Sequence, residues 1–164
     1  MPELRQLHRQ DGPAVLDFER ANRSYFAAFI ADRGDAFFDE FAEQFDALLA
    51  EQEAGSSAFY VLVDDDGALL GRFNLYDLEG GAARLGYRVA EHVAGRGVAT
   101  AAVQELCVEA AELGLHTLMA ATSHENVASQ KVLLKAGFVA TGAADRSELG
   151  GKSGTRYRRD LAAG

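Results

Sequence analysis

Tryptophan is absent from this chain, and cysteine occurs once and proline twice in 164 residues. A single thiol, Cys107, excludes an internal disulfide framework and is too little for a structural zinc site built on thiolates. The four histidines, His8, His92, His116 and His124, show no metal-ligand spacing, so no metal is expected. Basic residues are also scarce: 16 Lys and Arg stand against 25 Asp and Glu, a net charge of −9. Nucleic-acid binding, which needs clustered cations to displace counterions, is not expected. No stretch reaches the ~18 uninterrupted apolar residues of a membrane span, and Met1–Gln10 has no hydrophobic core of a secretory signal. No Pro, Gly or Ser run is long enough to part the chain, so a single domain over 1–164 is expected, cytoplasmic and without a membrane partner.

What is present is 48% hydrophobic residues in readable periods. Leu4 and Leu7 alternate like an edge strand, and Asp11, Gly12 and Pro13 then read as a helix entry, with Asp as N-cap and Pro in the first turn. From Asp35 to Glu53 the positions Phe37, Phe38, Phe41, Phe45, Leu48 and Leu49 recur at helical spacing, opposite an acidic face. Ala58–Val63 and Leu69–Leu75 read as strands of a hairpin closed by Asp64, Asp65, Asp66 and Gly67. Those three aspartates are taken as a solvated turn. After Gly80 and Gly81 comes a third strand, Ala83–Val89. The period then changes at Val98 to a helix ending at Gly114, followed by a strand at Leu115–Ala121 and a helix from Asn126 to Ala136. Phe138–Thr141 and Thr155–Leu161 close the sheet.

The chemistry centres on Gly95-Arg96-Gly97-Val98-Ala99-Thr100, between a strand and a helix. A helix N-terminus offers unpaired amides and a partial positive charge, and glycines let a phosphate approach them. A tight turn would use the same residues. The Rossmann fingerprint fails, because Thr100 stands where a third small residue belongs and the strands upstream form an antiparallel meander. A Walker motif at Gly151-Lys152-Ser153 fails too: Arg146 occupies its first glycine position and a strand follows. Asn126 is a good N-cap for its helix, able to accept from the amide of Ser129.

Three stretches together carry a resemblance: Leu85-Gly86-Tyr87-Arg88-Val89, the Gly95–Thr100 loop, and Asn126-Val127-Ala128-Ser129 running through Lys135-Ala136-Gly137-Phe138. With the element order, they resemble the GNAT acetyltransferase superfamily, and within it the RimJ/RimL-type N-terminal acetyltransferases, over residues 4–161. The resemblance implies an α/β fold with a mixed, mostly antiparallel sheet of about seven strands, splayed at the cofactor cleft, and about four helices. It implies acetyl-CoA as cosubstrate, its pantetheine arm on the backbone of Tyr87, Arg88 and Val89 and beside Asn126, its pyrophosphate on Gly95, Arg96, Gly97, Val98, Ala99 and Thr100. Lys131 would meet a phosphate, and His92 is expected at the surface. One departure is Ala94, where the family carries Gln or Arg. Another is Leu133, where many members carry the Tyr that protonates the leaving thiolate; the resemblance passes that task to Ser129. Glu148, in the polar stretch 145–154, resembles a carboxylate placed near the acceptor amine, and Tyr87 either lines the acyl cleft or packs. A covalent intermediate on Cys107 is not expected.

The expected reaction is direct transfer to a primary amine, a protein N-terminal α-amine of the ribosomal-protein type. A polyamine or other small cationic amine is the alternative acceptor, because the acidic helix from Asp35 to Glu53 belongs to the region that walls the acceptor site in this fold. A non-catalytic CoA-sensing module is the rival class. The protein is expected as a monomer or homodimer.

Overall fold

The computed structural model describes residues 2–161. In chain order the elements are β1 (Glu3–Gln6), α1 (Gly12–Ala21), α2 (Arg23–Ala27), α3 (Asp35–Asp39), α4 (Phe41–Ala54), β2 (Ala58–Val63), β3 (Leu69–Glu79), β4 (Ala82–Val89), α5 (Val98–Glu112), β5 (Thr117–Ser123), α6 (Val127–Lys135), β6 (Val139–Ala143) and β7 (Gly154–Asp160). Six helices stand where four were expected among the described residues. Arg23–Ala27 forms its own short helix, and the segment from Asp35 breaks at Glu40.

The seven strands form one sheet in the order β1-β2-β3-β4-β5-β7-β6. Every pair is antiparallel except β4 with β5. That parallel pair is brief: only Ala82–Arg84 face Thr117–Met119, and beyond them Leu85–Val89 and Ala120–Ser123 part company. Backbone groups along a divergence lack ladder partners, and a ligand can take them. This splay positions the site.

Strand β2 shows how the sheet is covered on both faces. Ala58, Tyr60 and Leu62 join a core with Phe73, Leu118, Val103 and Leu106, while Phe59 and Val61 join a second core with Val15, Phe18 and Phe45. The side-chain period of two therefore divides one apolar run between two layers. Helices α5 and α6 close the first layer, and α1, α2 and α4 close the second.

Two local expectations change. Asp11 does not cap α1: its buried carboxylate accepts from Arg5 at 2.7 and 2.9 Å and from the amide of His8 at 2.7 Å. A charge-assisted pair with the neighbouring strand wins over the helix amides. The phenylalanine stripe is fully buried at Phe45, with Phe41, Leu48 and Leu49 half-buried against the same core, while the break at Glu40 turns Phe37 and Phe38 toward the guanidiniums of Arg33 and Arg23, at 4.8 and 4.4 Å. The Asp64–Gly67 turn is as expected, with Gly67 at φ +88 and the Asp64 amide bonded to the carbonyl of Ala68 at 2.8 Å.

Candidate active site

The divergence of β4 from β5 opens a cavity of about 500 Å³ between the start of α5 and the face of α6. One wall is the glycine loop. Gly95 and Gly97 stand at φ +76 and +77, a region closed to most side chains, and a Cβ at either would meet nothing within 4 Å. The loop therefore turns bare backbone to open space. The first intrahelical bond of α5 is made by the Ala101 amide to the Gly97 carbonyl at 3.1 Å, which leaves the preceding amides, Val98 to Thr100, outside the ladder. Lys131 and Lys135, one turn apart on α6, line the same cavity. Bare amides, a helix N-terminus and two lysines suit a pyrophosphate. Val89, Gly95, Gly97, Ala99 and Thr100 all line this space; Arg96 and Val98 do not, and His92 is exposed and outside it.

A second cavity, of about 370 Å³, adjoins the first, and Tyr87, Arg88, Asn126 and Ser129 line both. Ser129 is held at this junction by its own helix start: the Asn126 side chain accepts from the Ser129 amide at 3.2 Å. Gln130 ties the same turn to the end of β5 by donating to the carbonyls of Ser123 and His124. The hydroxyls of Tyr87 and Ser129 are 2.9 Å apart. Tyr87 stacks on Phe73 at 5.7 Å, and burial pushes its phenol up to about 12, against the opposing effect of the Ser129 bond. The phenol is therefore protonated at neutral pH. Leu133 is buried in the core and its apolar side chain also borders the second cavity.

Glu148 lines the second cavity and a third, of about 660 Å³. Its carboxylate accepts from Arg156 at 2.7 and 3.3 Å, and Arg156 also bonds Asp145. In the wall nearby, Asn74 donates to the Tyr76 hydroxyl at 3.0 Å, while its Oδ1 is buried with no partner. An unpaired buried acceptor costs about 1–3 kcal/mol.

Two contributions to the site were not foreseen from sequence, and one that was expected is missing. Tyr25, Phe26, Phe29 and Ile30 wall the first cavity, and nothing in their local pattern marks them. Their segment is anchored from far along the chain: Lys152 donates to the Phe29 carbonyl at 3.2 Å and pairs with Glu125, which is what the rejected Gly-Lys-Ser stretch does. Next, Glu19 is buried beneath the site and accepts from Arg33, Arg72 and Arg88 at 2.7–3.2 Å. Burial alone would raise the Glu19 carboxyl, but the three guanidiniums overcome it and hold it below its ordinary value. Arg88 is pushed down to about 10 by burial and by repulsion from Arg33 and Arg72, an unusual position for a guanidinium. Last, the acidic helix is elsewhere: no residue from 35 to 54 lines any of the three cavities, which corrects the expectation that it walls the acceptor site. The break at Glu40 and packing of α4 on α1 carry its charged face to solvent. Cys107 lies in the core with its thiol pushed up by burial and lines none of these three cavities. Among the described residues no group of three or more His, Cys, Asp or Glu is arranged to hold a metal, and no helix is long and apolar enough to cross a membrane.

Residues 3–139 match the family model of the acetyltransferase (GNAT) domain. The probable N-acetyltransferase YjcK of Bacillus subtilis (strain 168) is 30% identical over 154 residues, which cover 88% of this chain and 83% of that protein. The fold is shared with the ribosomal-protein-S5-alanine acetyltransferase from Vibrio fischeri, at a TM-score of 0.89 and 22% identity over 98% of this chain and 93% of the other. It is shared too with the spermidine N-acetyltransferase from Vibrio cholerae in complex with CoA and spermine, at a TM-score of 0.82 and 18% identity over 99% and 96%.

Proposed function

The chain belongs to the GNAT acetyltransferase family and is an N-acetyltransferase; from that premise we propose that it acetylates the N-terminal α-amine of a protein or peptide, with acetyl-CoA as cosubstrate. The junction of two cavities at Tyr87 and Ser129 is the observation that carries this reading. Acetyl-CoA supplies an activated acyl thioester. The Gly95–Thr100 backbone with Lys131 and Lys135 holds the phosphates, and the free edge of β4 at Tyr87–Val89 aligns the arm. An amine in the second cavity meets that arm at Ser129. Confinement of both partners at one junction supplies the proximity that a direct transfer needs.

Ser129 then serves the departing sulfur as a hydrogen-bond donor. Either hydroxyl of the Tyr87–Ser129 pair can donate, and the arrangement that serves the reaction has the Tyr87 phenol donating to Ser129 Oγ, which leaves the serine proton for the sulfur; a phenol absent at Leu133 is thus supplied from β4. The alternative acceptor, a polyamine, loses the support of the acidic helix and retains that of the fold shared with a spermidine N-acetyltransferase. An amine brings N–H donors, the kind of group that Asn74 Oδ1 lacks.

Thiol release from acetyl-CoA tests the reading. Peptides with free N-termini are expected to react faster than the same peptides N-terminally blocked but containing lysine, and faster than spermidine. A protein that binds acetyl-CoA and releases no thiol with any of these amines would instead be a CoA-sensing module.

A further inference from the structure

In a chain with nine more acidic than basic charges, the acceptor side of the site is lined the other way. The second and third cavities present Arg33, Arg84, Arg88, Arg156 and Arg158, and a single acidic residue, Glu148. The outer three have exposed acidic partners: Arg84 pairs with Asp77, Arg156 with Asp145 and Glu148, and Arg158 with Asp160. The inner two do not. Arg33 and Arg88 share one carboxylate, Glu19, with the buried Arg72, so three guanidiniums face one negative charge; Arg72 and Glu19 are buried, Arg88 is 15% exposed and Arg33, at 27%, reaches solvent. Glu19 is saturated, its two oxygens each accepting two of these bonds. Surplus positive charge of this kind is costly in a poorly solvated place and is relieved by an anion with geometry to match a guanidinium.

We infer that the acceptor carries a carboxylate close to its reactive amine, and that Arg33 and Arg88 at the inner wall receive that carboxylate while the amine lies at Ser129. The inference rests on the acyltransfer reading above and narrows its substrate class to acidic amines, whether a peptide with Asp or Glu behind its N-terminal residue or a free amino acid. It also predicts selectivity against polyamines, which bring only positive charge to a wall that already has an excess. The arginines at the outer rim are paired with Asp77, Asp145, Glu148 and Asp160 and add no net positive field, so the charge that selects the acceptor is that of the inner pair.

The test uses the full chain with acetyl-CoA and short peptides that share a free N-terminal Ser and differ only at the next two positions, Asp-Glu, Ala-Ala or Lys-Lys, alongside free glutamate and spermidine. The expected result is a kcat/KM for the Asp-Glu peptide at least about tenfold above Ala-Ala, the ratio one charge-assisted hydrogen bond sustains, with Lys-Lys and spermidine lower still. The advantage should shrink as salt rises. Arg33→Gln, checked for folding by its thermal transition, is expected to remove most of that advantage through KM for the acceptor, with acetyl-CoA affinity unchanged. Arg158→Gln, at an exposed position whose charge Asp160 already matches, is expected to leave the advantage unchanged. A preference for free glutamate over every peptide would support the acidic class and assign it to amino acids. Equal rates for the three peptides, or faster reaction of Lys-Lys or spermidine, would overturn the inference and leave acetyl transfer standing. No thiol release with any acceptor would overturn the inference and the acyltransfer reading together.

Discussion

The hydroxyl of Tyr87 on β4 lies 2.9 Å from Ser129 Oγ at the first turn of α6, across the gap where β4 leaves β5. The two residues act as one donor in the proposed reaction, so their removal should not be additive. Ser129→Ala is expected to lower kcat by ~10²-fold or less, the lower range for a positioned proton donor, with acetyl-CoA affinity little changed. Tyr87→Phe should cost less, because Ser129 keeps its own proton, and the double variant should be no slower than Ser129→Ala. Stopped-flow thiol release under single-turnover conditions checks this. Fully additive losses would mean that the 2.9 Å contact only packs the cleft.

Gly97→Val should abolish acetyl-CoA binding, for a reason more specific than crowding. Gly97 stands at φ +77, where a β-branched residue is an outlier, and the empty space around its Cβ position faces the cavity. The substitution either strains the loop or turns the amides of α5 away, and it fills space that a phosphate would use. A destabilisation of about 1–3 kcal/mol is expected, too little to unfold most domains of this size. Calorimetric titration with acetyl-CoA and a thermal melt separate the two effects. Unchanged affinity in a folded variant would place the phosphates elsewhere.

The strands, the two helices that flank β5 and the glycine loop were legible because they rest on local signals: period two, period 3.6, and glycine before a helix. The Asn126 cap was legible for the same reason, being a contact between residues three apart. Glu19 was not legible. On sequence it is one more acidic residue on the first helix, and only the fold brings Arg33, Arg72 and Arg88 to it from up to 69 positions away. Tyr87 and Ser129 were each singled out, yet their bond spans 42 positions and two elements with no shared pattern. The acidic helix misled for the opposite reason: its charge was plain in sequence, but the direction it faces is set by the break at Glu40, where no Pro or Gly announces one.

The buried carboxylate makes stability pH-dependent with a definite sign. Because Glu19 is held below its ordinary value in the folded state, its contribution is complete above the unfolded carboxyl pKa of ~4.3 and is lost as pH falls through the lower folded value. Glu19→Gln leaves three arginines without their anion and is expected to cost about 3–5 kcal/mol at pH 7, the scale for breaking a buried pair. Urea unfolding of both proteins at pH 7 and again below pH 4 checks it. The gap between wild type and Glu19→Gln should be wide at neutral pH and close on acidification. A gap that does not change with pH would mean that Glu19 contributes by packing alone.

Ionisation of the acceptor sets the last expectation. An α-amine with pKa ~7.7–8.0 is roughly a tenth neutral at pH 7, while a lysine near ~10.4 is neutral to only a few parts in ten thousand. The second cavity offers little base to close that difference: its lining has no histidine and one carboxylate, Glu148, already engaged by Arg156 at 2.7 Å. The Tyr87 phenol, pushed up to about 12, stays protonated across the working range and does not take the proton. The rate should therefore rise with pH along the titration of the acceptor amine itself and flatten near pH 8 for α-amines, while lysine-type amines continue to gain. Glu148→Gln is expected to slow α-amine transfer several-fold at pH 7, in keeping with a weak base, and to do so less above pH 8, where the amine loses its proton unaided. A loss of equal size at every pH would assign Glu148 a positioning role through Arg156, with the amine reaching the site already neutral.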